Sequence, residues 1–183
     1  MRLKTQHAPY IANKISLDLS NADFIEIIGS LDNVTQVALQ ALQENIQQER
    51  EINERANELL QEHETEIEDY RMDENELAWK FRRQIASERN FSLSWDERCS
   101  DISHKILTEL TKARLIGFKV SEMIIKNTIH KAINEYSRIY EKSEEEVLKK
   151  IDKYKRRLVA GSEEYNIIFA KLYEEELRKR GLA

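Results

Sequence analysis

A mainly α-helical, elongated protein made of two duplicated halves is the fold class this sequence predicts. Three observations predict it. Four glycines and one proline in 183 residues are too few turn formers for an all-β sandwich or barrel. Apolar residues recur three and four positions apart along the chain, the period of an amphipathic helix and not the pattern of a disordered chain. The chain also matches itself when shifted by 91 positions.

The match is clearest between IANKISLDLSNADFIEIIGS (11–30) and ISHKILTELTKARLIGFKVS (102–121). Ile11/Ile102, Lys14/Lys105, Ile15/Ile106, Leu19/Leu110, Ala22/Ala113, Ile25/Ile116 and Ser30/Ser121 are identical, seven of twenty; composition alone would give about one or two. Val34/Ile125, Ala38/Ile129, Ala41/Ala132 and Leu42/Ile133 continue the register. Two amphipathic helices resemble each other to some degree anyway, but the polar matches at Lys14/Lys105 and Ser30/Ser121 favour duplication. The halves are residues 1–91 and 92–183, each with a helix, a short strand, a long helix and a closing helix.

The first helix of each half is expected over Pro9–Asn21 and Asp96–Lys112, with Pro9 suited to a first turn because its missing N–H has no partner there. Phe24–Ile28 and Leu115–Val120 alternate apolar and polar residues and predict short strands. Arg2–Lys4 and Phe91–Leu93 are candidates to pair with them. Ser30 or Asp32, and Ser121, are plausible N-caps for long helices over Asp32–Tyr70 and Ser121–Arg157. At 1.5 Å per residue, 36 residues reach about 54 Å. Ile129, Ile133, Tyr136, Tyr140, Val147, Ile151, Tyr154 and Leu158 form a coiled-coil-like seam in the second. In the first, Glu49, Asn53 and His63 interrupt a seam of Leu42, Ile46, Ala56, Leu60, Ile67 and Tyr70, so residues 47–66 are expected to project partly into solvent. Asp73 and Glu76 form a capping box for a helix with Leu77, Phe81 and Ile85 on one face. Ser162 opens a last helix with Tyr165, Phe169, Leu172 and Leu177 as its apolar positions.

Net charge is −5, which offers no global attraction to nucleic acid or anionic membrane. The halves differ, at −8 and +3. That split permits head-to-tail contact between molecules, or is incidental to solvated helix faces. No apolar run approaches the ~18–20 residues of a membrane span, and residues 1–15 lack a signal-peptide pattern. A lone Cys99 forms no intrachain disulfide. A cytoplasmic protein is the expectation.

The residues present no chemical constellation. His7, His63, His104 and His130 form no H-x-x-x-H pair and, with Cys99, no zinc pattern. Asp101 and His104 have a di-metal carboxylate–histidine spacing but lack the second pair such sites need. Cys99 and His104 would point in different directions on one helix, so they do not form a nucleophile and base. Glu144–Glu146 and Glu174–Glu176 spread around their helices at about 100° per residue and read as solvated surface. The isolated glycines form no phosphate loop. No catalytic residue, cofactor or metal is therefore assigned, no small-molecule substrate is identifiable, and the expectation is a non-enzyme. Trp79 and Trp95 are expected to anchor the cores of their halves, an exposed Trp being the mark of a partner surface. Lys149, Lys150, Lys153, Lys155, Arg156 and Arg157 cluster at one helix end. They are a candidate nucleic-acid contact with Tyr154 for stacking. The alternative is pairing with the helix dipole and with Glu145 and Glu146 at i, i+4.

Two terminal stretches carry a resemblance. One is Met1-Arg-Leu-Lys4 with Pro9-Tyr-Ile-Ala-Asn-Lys-Ile15. The other is Leu158-Val159, Gly161-Ser-Glu-Glu-Tyr165 and Leu172-Tyr-Glu-Glu-Glu-Leu-Arg-Lys-Arg-Gly181. Through them the whole chain resembles a bacterial family of uncharacterised proteins, domain of unknown function family 507. In that family a Pro often precedes the loop glycine where Ala160 stands here. The resemblance implies a bacterial cytosolic protein and carries no activity, cofactor or site residue. The reading that remains is a helical protein–protein interaction module that binds itself or another protein. A nucleic-acid-binding accessory protein using 149–157 is the alternative.

Overall fold

The computed structural model describes residues 3–65, 73–153 and 158–180. Among them are six α-helices and one two-stranded sheet. They are α1 (Ala8–Ser20), β1 (Ile25–Ile27), α2 (Leu31–Glu62), α3 (Glu74–Glu88), α4 (Trp95–Lys112), β2 (Ile116–Phe118), α5 (Glu122–Asp152) and α6 (Glu163–Lys179). The class is mainly α, as the periodicity predicts. None of the described helices is long and apolar enough to cross a membrane.

Local chemistry sets several boundaries where the sequence places them. Pro9 lies in the first turn of α1. Ser30 caps α2 by accepting from the Asn33 N–H at 3.3 Å, so Ser30 and not Asp32 is the cap. Asp73 accepts from the N–H groups of Asn75 and Glu76 at the head of α3, while the Glu76 carboxylate pairs with Lys80. Ser162 caps α6 through the Tyr165 N–H.

Two boundaries differ from expectation. Helix α2 ends at Glu62, where the His63 N–H is shared between the carbonyls of Leu59 and Leu60. Its last turn has no basic residue, and the backbone is helical again at Glu64 and Thr65, so the expected helix is interrupted at His63. The rest of that expected helix, Ile67 and Tyr70 included, lies largely outside the described residues. Helix α5 ends at Asp152, and Tyr154 to Arg157 also lie outside them.

The strands pair with each other and not with residues near Leu3 or Phe91. The ladder is antiparallel, with Ile25 opposite Phe118, Glu26 opposite Gly117 and Ile27 opposite Ile116. Leu3 is buried as a single side chain, and Phe91 and Leu93 pack into a helical cluster instead.

The described residues fall into two compact units, 3–132 and 133–180. In the first, Ile11, Ile15 and Leu19 of α1, Val34, Ala38 and Leu42 of α2, and Ile102, Ile106 and Leu110 of α4 are fully or almost fully buried, as are Ile125 and Ile129 at the start of α5. A second cluster joins Ile52 and Ala56 of α2 to Ile85 and Ala86 of α3, with Leu59, Phe81, Phe91 and Leu93 around it. Residues 47–62 are therefore covered along one face by α3, while their other side chains are half-buried or exposed, so the segment meets solvent in part. In the second unit, Tyr140, Val147 and Ile151 pack with Tyr173 and Leu177 of α6. Tyr165, Phe169 and Tyr173 stack in succession with centroids 6.1 and 5.8 Å apart.

Candidate interaction site

An open groove of about 820 Å³ lies between α3 and α4. Trp79 and Arg83 stand one turn apart on its α3 wall, Glu97 and Asp101 one turn apart on its α4 wall, and Ala86, Phe91 and Leu93 also line it. Trp79 is 54% exposed. The Arg83 guanidinium lies over its ring, 5.3 Å from the centroid, a cation–π geometry. Trp79 thus does not anchor a core: Leu77, Phe81 and Ile85 occupy the buried side of α3, and the helical period turns Trp79 outward. Trp95 is half-buried, its ring 6.0 Å from the Arg98 guanidinium.

The loop between the walls is set by a helix C-cap. Asn90 takes a left-handed conformation (φ 52°), which asparagine tolerates better than most residues. The Phe91 N–H then donates to the Ala86 carbonyl at 2.8 Å and the Asn90 N–H to Ser87, a Schellman-type closure. This reversal brings Phe91 to the groove.

Behind Phe91 lies a buried charge cluster that the sequence reading did not find. Arg98, 2% exposed, has its guanidinium 4.9 Å from the Phe91 ring centroid. It donates to Glu49 at 3.0 Å and to Asn45 Oδ1 at 2.6 and 3.2 Å. The other oxygen of Glu49 accepts from Arg82 on α3 at 3.0 Å. A carboxylate out of water needs such partners, and here they tie α2, α3 and α4 together beneath the loop. The signal was Asn45 and Glu49, one turn apart on the buried side of α2, where two polar groups imply a buried polar partner.

The other sequence candidates separate. Lys149 bonds Glu146 at 2.8 Å, and Lys150 bonds Glu176 on α6. These pairs replace the expected Glu145–Lys149 and Glu146–Lys150, because Glu176 is buried and draws Lys150 across, with Lys179 as its second partner. Glu176 is thus not solvated surface, and hydrogen bonds from Lys150 and Lys179 hold its carboxyl below the usual range. Lys153 follows α5 in a turn and is exposed; Lys155, Arg156 and Arg157 lie outside the described residues. Cys99 is fully buried, and desolvation pushes its thiol up to about 12. His104 is exposed on the same helix, and Asp101 accepts from Ser92 Oγ at 2.9 Å. Among the described residues no group of three or more His, Cys, Asp or Glu side chains is placed to hold a metal ion.

The model of a family described as "Protein of unknown function (DUF507)" matches residues 1–182. No curated protein matches the chain.

Proposed function

Since the chain belongs to the DUF507 family, whose description assigns no activity, we propose from its own surface that it is a non-enzymatic protein–protein interaction module working through the α3–α4 groove. The carrying observation is Trp79, more than half exposed beside a concavity. Single exposed aliphatics such as Leu17 or Met123 are ordinary on any surface. A solvent-facing Trp with an Arg stacked on it at the mouth of a groove is the composition of an interface hot spot. The buried Arg98–Glu49–Arg82 cluster beneath Phe91 supports the reading by holding one side of the groove in place.

The module consists of two duplicated halves, residues 1–91 and 92–183. Shifted by 91 positions, α2 (31–62) falls on 122–153, beside α5 at Glu122–Asp152, and β1 falls on β2. The two equivalent central residues, Glu26 and Gly117, face each other in the ladder, as a two-fold relation between repeats requires. Buried positions correspond as well: Ile15 with Ile106, Leu19 with Leu110, Val34 with Ile125.

The test is a pull-down with the full tagged chain from a lysate of the source cell, with and without nuclease, comparing wild type with Trp79→Ala. Nuclease-resistant proteins retained by wild type and lost with Trp79→Ala, at unchanged helicity and melting temperature, are expected. A captured set that vanishes with nuclease and ignores Trp79 would overturn the reading in favour of nucleic-acid contact through 149–157. Retention of no protein, together with a strictly monomeric chain, would remove it altogether.

A further inference from the structure

We propose that the α3–α4 groove receives helix α6 of a second copy of this chain, giving a head-to-tail contact. The proposal rests on the groove being an interaction site and names what fills it. The groove's chemistry is divided by wall. Arg83 of α3 forms no ion pair among the described residues and is steadied over Trp79. Across from it, Glu97 makes no ion pair among those residues, and Asp101 spends one oxygen on Ser92. With Phe91 and Leu93 between the walls, the complement is a segment carrying a large apolar side chain between an acid and a base. A polyanion fits poorly, because phosphates drawn to Arg83 would meet the two carboxylates opposite.

The chain itself presents that complement. On α6, Glu163, Ile167 and Lys171 follow at intervals of four and are all exposed, with Ile167 63% exposed. Residues four apart share a helix face, and the outer two are separated by about 12 Å along the axis. Neither Glu163 nor Lys171 is engaged in an ion pair among the described residues. The buried positions of α6, Tyr173, Glu176 and Leu177, lie elsewhere on the helix. Docking places Ile167 against Trp79 and Phe91, Glu163 on Arg83, and Lys171 on Glu97 and Asp101. One groove is smaller than a standard interface, so the association is weak and concentration-dependent. The contact is heterologous, joining different surfaces of the two copies.

Sedimentation equilibrium of the full chain over a roughly hundredfold concentration range, at low and high salt, tests this. A mass that rises with concentration, less so in salt, is expected for wild type, with monomer mass for Trp79→Ala and for Ile167→Ser. Arg83→Glu and Glu163→Lys should each weaken association about tenfold or more, and the double variant should restore it. Circular dichroism of each variant identifies any that fails to fold, and both single charge swaps lie at exposed positions. A monomer at all concentrations overturns the proposal, as does association indifferent to Trp79 and Ile167, or a double charge swap no better than the singles. If the chain is monomeric yet captures another protein in a Trp79-dependent way, the self-contact fails while the interaction module stands. If it also captures nothing, both fail.

Discussion

At the scale of single residues, the informative positions are those whose environment contradicts their chemistry. Glu49 is buried between Arg98 and Arg82. Glu49→Gln keeps the shape but leaves the nearly inaccessible Arg98 without its counter-charge, so a loss of about 3–5 kcal/mol in unfolding free energy is expected, checked by urea denaturation. A loss under 1 kcal/mol would mean water reaches the cluster. Cys99 is the second case. Its unfolded thiol ionises near its ordinary value of 9.0, whereas burial holds the folded thiol's proton to about 12. The unfolded state therefore binds fewer protons between those values. The thiol's contribution is complete below pH 9 and is lost as pH rises toward 12. Tyr173, raised from 10.0 to about 12, adds to the loss above pH 10. Urea midpoints should fall from pH 8 to 10.5, and Cys99→Ala should flatten the part of that fall below pH 10. Of these residues, Cys99 was legible from sequence only as a lone cysteine with neither a disulfide nor a base partner. Glu49 was visible only as an interruption in a seam, because its partners come from two other helices.

Among the secondary-structure elements, starts were better foreshadowed than ends. Ser30, Asp73 and Ser162 cap α2, α3 and α6 through their own side chains, a local interaction that needs no tertiary context. Ends were less legible: α2 is interrupted at His63, although Glu64 and Thr65 are helical again. The close of α4 shows a different stop. Arg114 is left-handed (φ 54°), and the Leu115 N–H donates to the Leu110 carbonyl at 3.0 Å, a conformation that favours glycine. Arg114 is exposed, so Arg114→Gly removes steric strain with little else lost. A gain of about 1 kcal/mol is expected, seen as a rise of about 2–4 °C in Tm for a chain this size. No rise would mean that glycine's greater freedom in the unfolded chain cancels the relief.

For the whole molecule, the proposed duplication predicts that equivalent positions carry equivalent energy. Ile15 and Ile106 are both completely buried. Ile15→Ala and Ile106→Ala should each cost about 2–5 kcal/mol, and by similar amounts, in parallel urea titrations. A severe effect at one position and a negligible one at the other would argue that the halves are similar in pattern but not in packing. What the sequence determined alone is the helical class, the 91-residue correspondence, most helix starts and the apolar stripes. These depend on residues within a turn or two of each other along the chain. Tertiary structure decided that the strands pair with each other, that α3 covers α2, that Glu49 is buried and that Trp79 is not. Those outcomes require distant segments to meet. A stripe identifies which side of a helix seeks cover, but the element that supplies the cover, and the aromatic ring left outside it, follow from the packing of several helices at once.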